Sequence, residues 1–172
     1  MTKMKMILFC LLLGVASIGC SGLSQLSHIS YTTVTMADYK YTTETSNLIS
    51  NAKKLLIQNG YNVRDVSEFI AEGHNWAGGE LSFKIHRYLK TEWLGSGNAK
   101  RRYFLYINEF SNGKHSAYFF YETPETEGKV ISKTSNGITG ERDYDLEYQL
   151  LRAVDPDAWA SAEQSRQTSL FR

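Results

Sequence analysis

Apolar and polar positions are most sharply patterned between Lys100 and Glu122, where two aromatic runs, Tyr103–Phe110 and His115–Tyr121, flank Ser111-Asn112-Gly113-Lys114. Alternating apolar runs around Asn-Gly predict a β-hairpin, because both central residues of a tight type I′ turn need positive φ. A two-residue turn at Asn112 and Gly113 would pair Phe110 with His115, Asn108 with Ala117, Tyr106 with Phe119 and Phe104 with Tyr121. The other side would then carry Glu109 with Ser116, Ile107 with Tyr118, Leu105 with Phe120 and Tyr103 with Glu122. Both faces are largely apolar, whereas a half-buried hairpin alternates apolar with polar, so each face must be covered by protein or by a partner.

Upstream, Tyr31–Met36 is β-branched and aromatic and predicts a first strand. Thr45–Asn59 has the helical period. Leu48, Ile49, Ala52, Leu55 and Leu56 form one stripe, Thr45 or Ser46 can act as N-cap, and Gly60 ends the helix with Tyr61 packed back on its last turn. Tyr61–Glu72 fits a short capped helix or extended structure, and the favoured reading is two strands, near 61–67 and 69–75. Gly78 and Gly79 interrupt the chain before Leu81, Phe83 and Ile85, which alternate with Ser82, Lys84 and His86 in a further strand. Gly95-Ser96-Gly97-Asn98 forms a loop into the hairpin. After Pro124, Lys129–Lys133 reads as a short strand and Asn136-Gly137 with Gly140 as a turn. Tyr144–Val154 is helical, with Leu146, Leu150 and Val154 at four-residue spacing and acids near its start. Asp155-Pro156 opens a second short helix carrying Trp159, and the chain beyond Arg166 reads as a loose tail.

This order predicts an α+β fold, an antiparallel β-sheet meander with two or three helices packed mainly on one face, in a single domain over 31–166. The order resembles the helix-grip domains of lipoproteins in outer-membrane barrel assembly. That likeness is one of topology and carries no residue across, so it fixes no function.

The first thirty residues add a cellular address. Lys3 and Lys5 precede Met6–Ile18, an uncharged apolar run of 13 residues. A spanning helix needs ~20 residues and a signal-peptide core only ~7–15, so Met1–Gly19 reads as an export signal. Ser17-Ile18-Gly19-Cys20 resembles the lipobox of bacterial lipoproteins, with Ser17 where that class usually has Leu. The resemblance implies cleavage before Cys20, a diacylglycerol on its sulfur and an acyl group on its amine, and no other cofactor is expected. The alternative is an ordinary signal cut elsewhere, for instance after Ser17. By analogy with enteric bacteria, Ser21 in place of Asp after the cysteine implies the outer membrane. Residues 20–30 then form a tether, and the ten residues Ser21–Ser30 reach at most ~35 Å when extended. Cys10 leaves with the signal, so the mature domain forms no disulfide. Loss of Lys3 and Lys5 takes the formal charge from +1 to −1, which argues against nucleic acid as a partner.

Catalytic patterns are sparse. His28, His74, His86 and His115 are scattered and form no His-Glu-x-x-His motif, Gly95-Ser96-Gly97 lacks the spacing of a nucleophile elbow, and Asp143, Asp145 and Glu147 read as a solvated helix cap. No catalytic or metal site is predicted. Two features point to binding. Between Lys84 and Arg102 lie six bases, Lys84, Arg87, Lys90, Lys100, Arg101 and Arg102, against the single acid Glu92. From Glu122 to Asp157 nine acids stand against four bases. Such asymmetry can orient a domain on an anionic membrane or a charged partner, or simply discourage aggregation at sheet edges. If one hairpin face is open, Phe104, Tyr106, Phe119 and Tyr121 would make an aromatic platform for protein or lipid.

The expected function is a membrane-anchored, non-enzymatic binding or assembly module of the cell envelope, partnered by the membrane and an envelope protein. The alternative is a lipid- or small-molecule-binding lipoprotein with a pocket between sheet and helices. A hydrolase would need His74 or His86 beside the acids at 143–147.

Overall fold

A computed structural model of the chain describes residues 31–37, 39–75, 81–128, 132–134 and 137–169. The signal, Cys20 and the tether lie outside the described residues. Residues 31–37 form a helix, α1, and not the strand that their composition predicts. Thr32 and Met36 are buried four positions apart, a helical spacing, and the Tyr31 hydroxyl donates to the carbonyl of Ala162. Packing overrides local propensity here.

Helix α2, Thr45–Gln58, buries Leu48, Ala52 and Leu56, with Glu44 rather than Thr45 or Ser46 at the N-cap. It ends in a Schellman motif. The Gly60 N–H donates to the Ile57 carbonyl at 2.9 Å and the Tyr61 N–H to Leu56 at 3.0 Å. Gly60 has φ +86°, a left-handed conformation that only a residue without Cβ adopts cheaply. The next segment is one strand, β1 (Val63–Asn75), where two short ones were expected. Register shifts between Asp65 and Glu68 and between Phe69 and Ala71 let it bend without breaking its pairing.

Strands β2 (Leu81–Thr91), β3 (Arg102–Phe110) and β4 (His115–Glu122) complete an antiparallel meander in the order β1-β2-β3-β4, with a 3-10 turn at Gly97–Ala99 before β3. Gly78 and Gly79 lie outside the described residues. Strands β5 (Ser132–Thr134) and β6 (Gly137–Thr139) pair separately, and Lys129–Ile131 and Asn136 fall outside the description. Helix α3 is Tyr144–Val154, capped by the Asp143 carboxylate on the Leu146 N–H at 3.0 Å. Helix α4, Pro156–Ser169, starts on Asp155, which accepts from the Ala158 N–H at 3.1 Å, and continues past Arg166 where a loose tail was expected. The fold is α+β, a four-strand antiparallel meander with helices packed against it.

The central hairpin forms, one residue out of the expected register. The Gly113 N–H donates to the Phe110 carbonyl at 3.0 Å and the Phe110 N–H to Lys114 at 2.9 Å, enclosing a three-residue loop. Among the described residues no non-glycine has positive φ, so Asn112 does not take its type I′ role. Gly113, at φ +76°, alone is left-handed, as in a type I turn closed by a G1 bulge. Glu109–His115, Ile107–Ala117, Leu105–Phe119 and Tyr103–Tyr121 therefore pair on one face, with Asn108–Ser116, Tyr106–Tyr118, Phe104–Phe120 and Arg102–Glu122 on the other. A slip of one residue moves every β4 side chain to the opposite face relative to β3.

Two cores result. On the helix side, Leu48, Ala52, Leu56, Leu146, Leu150 and Leu151 pack onto Leu89, Leu105, Ile107 and Phe119. On the second side, Ile70, Phe83, Ile85, Phe104, Tyr106 and Phe120 form a cluster made of strand residues alone.

Candidate functional site

The second core has a roof of cations. The Phe104 ring lies 5.4 Å from the Arg87 guanidinium, 5.5 Å from Arg102 and 5.9 Å from the Lys90 ammonium. Arg102 also stacks on Trp93 at 4.6 Å, with Lys100 at 5.6 Å from the same ring. Acids from β1 and from the downstream segment tie this roof down. Arg102 pairs with Glu122 at 2.7 Å and Glu127 at 3.0 Å, the Gly128 N–H donates to Glu122, and Arg87 pairs with Glu68. The chain after β4 thus folds onto this side, and β6 touches β1 at the opposite sheet edge. Long basic stems cover apolar surface well while their heads find carboxylates.

The six bases of the sequence run are therefore divided. Arg87, Lys90 and Arg102 belong to the roof and Lys100 to the loop beside Trp93. Arg101 turns to the helix side, 4.6 Å over the Tyr121 ring, and Lys84 is exposed on that side opposite Glu72 and Glu109. The aromatic platform is divided as well. Phe104 and Tyr106 are buried in the second core, Phe119 in the first, and Tyr121 packs against the first. The register slip is the cause, since the expected pairing would have put all four on one side.

A buried ion pair locks the helices to the edge strand. Glu147, fully buried on α3, accepts from Arg142 at 3.0 and 2.5 Å and from the Phe119 N–H at 3.0 Å. Arg142 also donates to the Met36 carbonyl at 3.2 Å and lies between the Tyr118 and Tyr144 rings, 4.4 and 4.5 Å from their centres. Burial pushes the Glu147 carboxyl up to about 7 against the opposing pull of Arg142. The sequence reading of Glu147 as a solvated cap residue is thus corrected. Two further contacts seal the β4 edge, as Tyr41 and His115 exchange backbone bonds of 2.7 and 2.9 Å and the Tyr121 N–H donates to Glu141 at 3.0 Å.

An accessible organised surface that the sequence reading did not single out is a row of rings. Phe69 on β1, 54% exposed, rests edge-on against His86 of β2, with ring centres 5.5 Å apart. His86 lies 5.7 Å from Tyr88, whose hydroxyl donates to Glu109 of β3 at 2.6 Å, and the His86 Nδ1 is 4.0 Å from the same carboxylate. Burial, then the bond to Glu109, raises the Tyr88 hydroxyl above the ordinary tyrosine range. The row crosses three strands on the helix side of the sheet. One signal for it was present in the sequence, since His86 and Tyr88 sit two apart on a strand and share a face.

His86 stands opposite Ile107, whereas Asp143 binds the Tyr103 hydroxyl at 2.7 Å, four strand residues away. That spacing separates the groups a hydrolase would have needed, and the side chain of His74 is outside the description. Among the described residues no three His, Cys, Asp or Glu side chains gather as a metal site. No described helix is long and apolar enough to cross a membrane. Compared with protein-family models, curated proteins and solved structures, the chain matches none.

Proposed function

We propose that this chain is a lipid-anchored protein of the bacterial cell envelope, held through Cys20 and most consistent with the outer membrane, whose domain binds another envelope protein. The anchor half of this reading rests on the Gly19-Cys20 junction behind an apolar export signal. The binding half rests on the Phe69–His86–Tyr88–Glu109 row. An exposed ring supported by two more rings and a carboxylate on a rigid sheet has the makeup of a protein-binding hot spot, an aromatic anchor with a polar rim. The reading that places a ligand between sheet and helices loses support, because Leu48, Ala52, Leu56, Leu105, Phe119 and Leu150 fill that space without exposure to solvent.

The test is recovery of the full-length protein from mild-detergent extracts of its native membranes, scored by mass spectrometry beside Cys20→Ala and Phe69→Asp. A partner in stoichiometric amount that is lost in both variants supports the proposal. Undiminished recovery of that partner with Phe69→Asp would remove the ring row from it.

A further inference from the structure

We infer that the end of the domain carrying Val34, Ile57, Trp93 and Leu94 rests on the lipid surface to which Cys20 anchors the chain, leaving the Phe69 row free for its partner. This rests on the anchor reading above and adds an orientation to it. Among the described residues four large apolar side chains are exposed, Val34 at 73%, Ile57 at 54%, Phe69 at 54% and Leu94 at 39%. Three of them lie at one end of the sheet. Val63 pairs with Thr91 and Arg102 with Glu122, so the last turn of α2, the start of β1, the loop 92–101 and the end of β4 converge there. Ile57 is in the last turn of α2, and a Cβ on neighbouring Gly60 would sit 3.6 Å from the Leu94 Cδ2. Val34 follows Thr32 and Thr33, which border a hollow of about 240 Å³ together with Arg101 of the same loop region.

The domain begins at Tyr31, next to Thr32 of that hollow, so the proposed tether would start from that end. Its ten residues Ser21–Ser30 reach at most ~35 Å. Strand β2, with 11 residues, is itself ~36 Å long, so the opposite end of the sheet could meet the bilayer only with the tether fully drawn out. The residues at the near end suit an interface between headgroups and acyl chains. Trp93 is an amphipathic ring, Val34, Ile57 and Leu94 are aliphatic, and the Lys100 ammonium lies over the Trp93 ring at 5.6 Å. Recognition is apolar more than ionic, because Arg64 at this end is neutralised by Glu92 at 2.5 Å and Arg102 by Glu122 and Glu127. Arg102 of the basic run is thus held by the protein's own acids, and the contact is assigned to the Trp93–Leu94 turn.

The experiment places the protein, purified from membranes with its anchor, in vesicles of phosphatidylethanolamine and phosphatidylglycerol, made with and without brominated acyl chains. Flotation and intact mass report the anchor, and tryptophan emission reports the orientation. Wild type should lose emission in brominated vesicles, and Trp93→Phe should lose little. The double variant Ile57→Asp, Leu94→Asp should float equally and escape quenching. Hydrogen exchange on wild type needs no variant, and amides 57–60 and 93–100 should exchange more slowly on vesicles than in detergent. A floating, acylated chain whose emission and exchange are the same in both settings overturns the orientation alone. A chain without acyl groups that fails to float overturns the anchor reading, and the orientation with it.

Discussion

The two faces of the central sheet are both apolar, yet they are covered by different means. On one, helices supply Leu48, Ala52, Leu56, Leu150 and Leu151 against Leu105, Ile107 and Phe119, in an aliphatic core closed by secondary structure. On the other, the charged heads of Arg87, Lys90 and Arg102 lie over Phe104, and the carboxylates of Glu68, Glu122 and Glu127 hold two of the three cations in place. Charge segregated along the sequence becomes complementarity in space. A basic run followed by an acidic one looks like a docking surface for a charged partner, and half of the basic run, with Glu122 and Glu127 of the acidic one, proves to be the protein's own roof. Arg102 is the beam of that roof, placed between Trp93 and Phe104.

The comparison can be broken by substitution. Phe119→Ala, on the helix-covered face, should lower stability by about 4 kcal/mol in urea unfolding, the usual cost of emptying a buried aromatic site. Arg102→Ala should cost about 3 kcal/mol, although it removes a surface-type residue, because it uncovers Phe104 and leaves the Glu122 carboxylate, 4% exposed, without its cation. A cost below ~0.5 kcal/mol, typical of an ordinary surface position, would show that the roof is decoration.

The seam between helices and sheet responds to pH. The folded Glu147 carboxyl holds its proton up to about 7, against 4.5 for a free one. The folded state therefore binds more protons than the unfolded state between those values, and stability declines as pH rises across the window, by roughly 3 kcal/mol. Glu147→Gln should flatten that slope in urea titrations run at both ends of the window. At the small end, Lys84→Ala and Lys100→Ala should change stability by less than ~0.5 kcal/mol, since neither stem roofs the second core. A loss comparable to that of Arg102→Ala from either would mean that the whole run, and not the three roof residues, carries the cover.

Much of this arrangement was legible in the residues. Helices α2 and α3 declared themselves through the period of Leu48, Ala52, Leu56 and of Leu146, Leu150, and strand β2 through its alternation. Propensity misled at Tyr31–Met36, where the partner that makes a helix worthwhile, α4, is more than a hundred residues away. The hairpin misled by one residue. Asn-Gly supports both a two-residue turn and a three-residue turn with a G1 bulge, and local sequence does not choose between them. That single step dissolved the platform of Phe104, Tyr106, Phe119 and Tyr121. The roof was invisible for another reason, because no local pattern says that Glu122 and Glu127 will reach back to Arg102. The ring row depends on strand pairing too, since Phe69 meets His86 only once β1 and β2 are in register.

The proposed anchor at Cys20 would set which end of the domain meets the bilayer and which surface remains for a partner, so it is the claim to test first. The most direct measurement is the mass of the N-terminal peptide of the protein purified from its native membranes. The account predicts a peptide that begins at Cys20 and carries a diacylglycerol and an N-acyl group. A peptide that begins elsewhere, such as after Ser17, with a free thiol at Cys20, would contradict it.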